Sequence, residues 1–162
     1  MQDAILNLLE VAIWSGIAAL GFGILFNIPK GTIITVFTLG FVAGLIKFEL
    51  IDLKVHIVMA TFIAVLFVAI VSMPIAHKIH HPPFVFCIPP VIPMIPGYFA
   101  YETVLSAMNF IFIEKDVLKR VELIDSIFSN GFTMFFILIA ITTGIALPML
   151  LLRKSTVKKI ED

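Results

Sequence analysis

Long apolar runs separated by short polar gaps organise this chain. A membrane-spanning helix needs about 20 mostly apolar residues, and runs of that length lie at about 4–27, 32–50, 55–76 and 127–152. The gaps carry residues that stop helices or carry charge: Ile28-Pro29-Lys30-Gly31, then Asp52-Leu53-Lys54, then His77-Lys78-Ile79-His80-His81. A further run, about 84–113, is equally apolar but crowded with proline. Six of the nine prolines fall between His80 and Tyr101, and no Lys, Arg, Asp or Glu interrupts Ile79 to Tyr101. The pattern predicts an all-α integral membrane protein with about five transmembrane helices, one of them broken, forming a single membrane domain over 1–162. Glu114 to Asp125 is the longest polar stretch. Val117, Val121 and Ile124 share one helical face there, which predicts a short separate helix lying at the interface.

The proline run conflicts with an unbroken helix. An interior proline removes a backbone donor and crowds the carbonyl four residues earlier, so Pro89, Pro90, Pro93 and Pro96 would leave the carbonyls of Val85, Phe86, Pro89 and Ile92 unpaired. Residues that precede proline are pushed toward extended backbone. Extended or turn geometry is therefore expected from Ile88 to Pro96. Irregular backbone at membrane depth persists only where protein or a water-filled cavity covers it, which makes this segment a candidate site.

A new helix is expected near Pro96, because proline suits a first helical position. Its Tyr98, Glu102, Ser106 and Asn109 would share one face, and a polar stripe at membrane depth turns toward protein or water. The free N–H groups at such a helix start suit a carboxylate. Pro89, Pro93, Pro96, Gly97, Tyr98, Tyr101, Glu102 and Asn109 are therefore the candidate substrate or pathway residues. Glu102 is the first candidate for proton or ion coupling, and Glu10 in the first run is the second.

Composition supports the membrane reading. Hydrophobic residues make up 60% of the chain, charged residues 14%, and the mean hydropathy is +1.13, well above a soluble domain. A formal net charge of zero gives no reason to expect nucleic acid. The start, MQDAILNLLE, lacks the basic residues of a cleavable signal, so the first run is expected to be a retained span. Placing Lys30, Lys78, Arg153, Lys154, Lys158 and Lys159 on one side gives the orientation: amino terminus outside, carboxyl terminus cytoplasmic.

Other motifs carry less. His77, His80 and His81 near Cys87 are followed at once by Pro82 and Pro83 and have no carboxylate beside them, so interfacial histidines and a core cysteine are expected and no metal site. Gly40-x-x-x-Gly44 and Ala140-x-x-x-Gly144 are small-residue faces suited to close helix packing. No Gly-rich phosphate loop is present, and no nucleophile–base pair or paired carboxylates stand out, so neither a cofactor nor an enzyme is expected.

The run PPFVFCIPPVIPMIPGYFAY, with FNIPK upstream, resembles the threonine/serine exporter family. The family's Asn-x-Pro-Lys/Arg turn corresponds to Asn27, Pro29 and Lys30. Its proline-rich motif corresponds to Val91, Ile92, Pro93, Met94, Pro96, Gly97 and Tyr101, with Met94 replacing a leucine and Pro90 a glycine. The motif covers about residues 82–101, and the span layout most of the chain. The resemblance implies a secondary exporter of threonine/serine-like amino acids or small dicarboxylates, driven by an ion gradient in the cell's inner membrane. It also implies that this chain is the small, C-terminal-half subunit, working with a larger membrane subunit of the same family. A non-transporting membrane scaffold or assembly protein is the alternative. The lipid bilayer, an oligomer of the chain and a small-molecule substrate are the further expected partners.

Overall fold

A computed structural model describes the backbone of residues 2–151, with side chains from Leu6 onward. Among these residues there are six α-helices and no strand: α1 (Gln2–Leu25), α2 (Ile33–Asp52), α3 (Ile57–Ile79), α4 (Phe84–Val91), α5 (Gly97–Met108) and α6 (Val117–Leu151). Four helices are long and apolar enough to cross a membrane. A fifth span results if the bent pair Phe84–Met94 and Gly97–Ile113 is one crossing. The cations Arg153, Lys154, Lys158 and Lys159 lie outside the described residues.

The gaps end helices by a shared device. Asn27, Lys54 and His80 take left-handed backbone, with φ of 53°, 65° and 58°. At the first, the Ile28 N–H donates to the Gly23 carbonyl and the Asn27 N–H to that of Ile24, a Schellman closure that satisfies the last carbonyls of α1. Ile28 is buried against Gly23, where a Cβ would meet its Cδ1 at 2.7 Å. The Val55 and Lys54 N–H groups close α2 in the same way onto Leu50 and Ile51.

The Gly40/Gly44 face brings α2 against α1. A Cβ on Gly40 would collide with the Cβ of Ala19, and one on Gly44 would meet Ser15 Oγ at 2.7 Å. Gly144 serves α6 on α3, where a Cβ would meet Val65 Cγ1 at 2.9 Å. At these three glycines the missing side chain permits the close approach. The central core joins Ala64, Val65, Val68 and Ala69 of α3 to Cys87, Val91, Met94, Ile137 and Ile141. A second cluster unites Ala19, Val36, Ala76 and Phe86.

Two sequence expectations are corrected. The first concerns the prolines. Pro89 and Pro90 lie inside α4, followed by a 3-10 turn at Ile92–Met94, so Ile88 to Val91 is helical and not extended. Proline's own φ fits a helix, and burial offsets the lost bonds. Phe86, Cys87, Pro89, Pro90 and Val91 are all buried, and α4 packs on α1, α2 and α3 together. A buried side chain such as Phe86 gains close van der Waals contacts, the term that packs helices together in a membrane. The break falls later and is narrower: only Ile95 and Pro96 lie outside helix, and the two halves meet at 45°.

The second correction concerns Glu114–Asp125. It is not a separate interfacial helix: from Val117 onward it is the beginning of α6, one continuous helix of 35 residues, about 50 Å long. No proline or glycine lies between Val117 and Gly131 to interrupt it. A helix that long exceeds the roughly 30 Å hydrocarbon layer.

That length changes the outline of the molecule. Thr103 of α5 lies against Gly131, whereas Gly144 lies against Val65. Gly131 and Gly144 are about 20 Å apart along α6, and Val65 is about 12 Å inside the start of α3. Alpha-5 and the first half of α6 thus form an arm of their own, centred about 20 Å along α6 from the Val65 contact. Alpha-5 packs chiefly on α6, with Phe99 reaching the central core.

The glycine contacts give a direct test. Gly40→Val should destabilise the folded protein in detergent by roughly 1–3 kcal/mol through overpacking. Gly21→Ala, at a position with nothing within 4 Å of the added carbon, should leave the thermal midpoint unchanged. Equal midpoints for all three proteins would contradict the α1–α2 packing.

Candidate functional site

The two segments singled out by motif meet in space. Phe26, Asn27, Ile28 and Pro29 from the turn after α1, with Phe84, Val85, Ile88 and Pro89 from α4, line one mostly apolar cavity of about 270 Å³. Proline at 89 leaves the Val85 carbonyl without its helical donor, and Val85 is one of the lining residues. Pro29, placed just after left-handed Asn27, stops α1 where the cavity needs a wall, and Thr32 Oγ1 donates to the Pro29 carbonyl at 2.7 Å.

The break itself is hydrogen-bonded. Pro96, with φ −78° and ψ 60°, is the centre of an inverse γ-turn, in which the Gly97 N–H donates to the Ile95 carbonyl at 2.8 Å. The Ile95 N–H donates to the Ile92 carbonyl, so that carbonyl is paired, contrary to the sequence expectation. The expected free N–H of Gly97 is likewise used. The Tyr98 and Phe99 N–H groups have no acceptor among the described residues, since the first α-helical bond runs from Ala100 to Pro96. Ile95, with ψ 132°, shows the extended preference of a residue before proline.

The remaining candidates fall in different places. Pro89 and Pro96 are buried, Pro93 half-buried and Gly97 exposed. Tyr98 and Tyr101 are 69% and 63% exposed, Glu102 is half-buried, and none of the three lines the motif cavity. The predicted stripe is divided by use. Ser106 is buried and shares a 2.9 Å hydrogen bond with Ser126. Asn130 Nδ2 donates to the Ser126 carbonyl and hydroxyl, so this part of the stripe ties α5 to α6. Asn109 opens a π-helical turn, Asn109–Ile113, and helps line a second cavity of about 470 Å³ with Glu114, Lys119, Glu122 and Ser126. Glu10 is exposed on α1, at the opposite end of that helix from the motif cavity.

Sequence reasoning missed the partners of these groups. Phe26 and Phe84 escaped notice because apolar residues carry no signal of their own in an apolar chain. Ser126 and Asn130, four apart at the start of the last apolar run, were a legible signal of a polar helix face.

The arm's tip is held by charge. Arg120 donates to the carbonyls of Phe110 and Glu114, at 2.9 and 3.0 Å, and its guanidinium lies 3.9 Å from the Phe110 ring centre. Asp116 Oδ1 accepts from the Leu118 N–H and caps α6. Glu114 Oε1 accepts from the Asp116 and Lys115 N–H groups. The Asp116 bond chiefly holds the Glu114 carboxyl below the usual carboxylate range, with Lys119, the Lys115 N–H and Arg120 adding to it.

The family described as "Threonine/Serine exporter, ThrE" matches residues 11–151. The chain belongs to the threonine/serine exporter family. It is a multi-pass membrane protein of a transporter family, and its cavity joins the two segments whose sequences carried the resemblance. A protein of Haemophilus influenzae, described as an uncharacterized protein, is 30% identical over 150 residues, which cover 90% of this chain and 48% of that protein. The chain thus spans about half the length of this curated relative. No solved structure matches it.

Two predictions follow from the break and the tip. A Cβ on Gly97 meets nothing within 4 Å and the backbone there is not left-handed, so Gly97→Ala should fold with unchanged stability or gain up to about 1 kcal/mol. A lowered thermal midpoint would contradict this open geometry. Because the folded Glu114 pKa is depressed, its stabilisation is complete above the unfolded value, about 4.3, and is lost as pH falls through the lower folded value. In an NMR titration the Asp116 amide should respond with a midpoint below that value; a midpoint at or above it counts against the hydrogen bond.

Proposed function

We propose that this exporter-family chain is the small membrane subunit of a secondary transporter that moves threonine/serine-like amino acids or small dicarboxylates out of the cell. It works with a larger membrane subunit of the same family and draws on an ion gradient. Its place is the inner membrane, with the amino terminus outside and the carboxyl terminus cytoplasmic. The observation that carries this reading is the meeting of the Phe26–Pro29 turn and the Phe84–Pro89 helix around one cavity, within a helix pair bent by 45° at Pro96.

Discontinuous helices place unpaired main-chain groups at membrane depth, where a polar solute replaces its water shell with protein partners. Here the donors would be the Tyr98 and Phe99 N–H groups at the start of α5, suited to a carboxylate by the sign of the helix dipole. Pro89 shapes the wall of the motif cavity, Pro93 and Pro96 set the bend beyond it, and Gly97 leaves open space at the start of α5. Tyr98 and Tyr101 contribute hydroxyls, and Asn109 lies further along the same helix. Glu102 is the coupling carboxylate in this reading and Glu10 a second one at the membrane edge. Protonation of Glu102 removes a charge that a bilayer disfavours, which gives a proton gradient a way to act on α5.

Purified chain and partner, reconstituted together in liposomes, should release preloaded radiolabelled threonine, serine or succinate when an ion gradient is imposed. Glu102→Gln should lower that flux while the two chains still co-purify. If all three solutes stay inside under proton and sodium gradients, and Glu102→Gln changes only co-purification, the chain is a scaffold.

A further inference from the structure

The arm formed by α5 and the start of α6 presents a face that neither lipid nor water alone satisfies. Tyr98, Tyr101, Leu105, Met108 and Phe112 are all exposed. They are spaced by three, four, three and four residues, the repeat of a seam that takes another helix. Beside this seam stands half-buried Glu102, and no hydrogen bond or ion pair to Tyr98, Tyr101 or Glu102 side chains occurs among the described residues. In lipid, the carboxylate and the two phenols lack partners. In water, the apolar seam is uncovered. A protein surface meets both demands, with apolar side chains along the seam and donors opposite Glu102.

The chain's own helices do not supply that surface, since α5 packs chiefly on α6 and the seam side chains stay exposed. The length of the relative points to what does. This chain covers only 48% of the Haemophilus influenzae protein, so that protein carries about as much chain again. We infer that the Tyr98–Tyr101–Leu105–Met108–Phe112 face of α5 is the docking surface for the other half of the exporter. On the two-subunit reading the occupant is the partner chain, equivalent to the unmatched half of the relative, and it places a hydrogen-bond donor or cation opposite Glu102.

This inference rests on the two-subunit reading of the function and makes it spatial. It puts the coupling carboxylate at the seam between subunits, while the motif cavity stays within this chain. It also explains why Tyr98 and Glu102 do not share the cavity of Asn27 and Pro89. The two groups of candidate residues belong to different surfaces, one complete in the chain and one completed by the partner.

Site-specific photocrosslinking in native membranes tests it. A benzophenone side chain is placed at Tyr101 or Phe112, and for comparison at Ile13 of α1 or Ile63 of α3, both of which are also exposed. The chain is co-expressed with the polypeptide from the same genome that aligns with the unmatched half of the relative. Adducts of the partner's mass should form from Tyr101 and Phe112, be absent from Ile13 and Ile63, and weaken when Glu102→Leu removes the carboxylate. The inference is overturned if the partner crosslinks only through Ile13 or Ile63. Adducts only to a second copy of this chain, adducts only to lipid, or a genome with no such polypeptide overturn it equally. Partner adducts from α5 combined with no solute flux in liposomes would support the interface and refute transport, so the two readings fail separately.

Discussion

Backbone polar groups inside a membrane must find partners, and most of this structure is arranged around the place where the chain makes that difficult. Prolines 89 and 90 remove two donors from a helix of only eight residues. Alpha-4 persists because α1, α2 and α3 enclose it, and they can do so because glycines let the helices approach closely. The Gly40/Gly44 face draws α2 onto α1, and Gly144 draws α6 onto α3. The small-residue contacts and the proline-rich helix are thus cause and consequence: without tight packing around it, α4 has too few internal bonds to stand.

The span layout was legible in the sequence because hydropathy reports burial in lipid directly. The turn at Asn27–Pro29 was legible because asparagine tolerates left-handed backbone and proline ends a helix. The extent of the break was not. Four of the nine prolines, Pro74, Pro89, Pro90 and Pro148, sit inside helices, since tertiary burial overrides a local preference worth a few kcal/mol. Within the 84–113 run the preference prevails only at Ile95–Pro96. The continuity of α6 was missed for the opposite reason: its polar start read as a boundary, although charge alone does not stop a helix when Asp116 caps it and Arg120 braces the preceding turn.

The candidate site was partly legible too. The motifs named Asn27, Pro29 and Pro89, and the cavity joins them. The four-residue spacing of the α5 stripe was correct as a face but not as a single role. Ser106 is drawn into the Ser126–Asn130 network, Asn109 opens the π-helical turn, and Tyr98 and Tyr101 point away from the chain's own core. Periodicity shows which residues share a side of a helix. It does not show how many neighbours that side has.

The break at Pro96 also changes what the segment packs against. Alpha-4 is enclosed by α1, α2 and α3, whereas α5 is fastened to α6 by Ser106 and Arg120, and α6 in turn packs on α3. Between Phe84 and Ile113 only Ile95 and Pro96 lie outside helix, and the ring of Pro96 holds its φ. The connection thus has few rotatable bonds, the φ and ψ of Ile95 and the ψ of Pro96, and the bond from the Gly97 N–H to the Ile95 carbonyl closes over them. So small a joint fixes the direction in which α5 leaves α4: two residues aim the whole of the next helix.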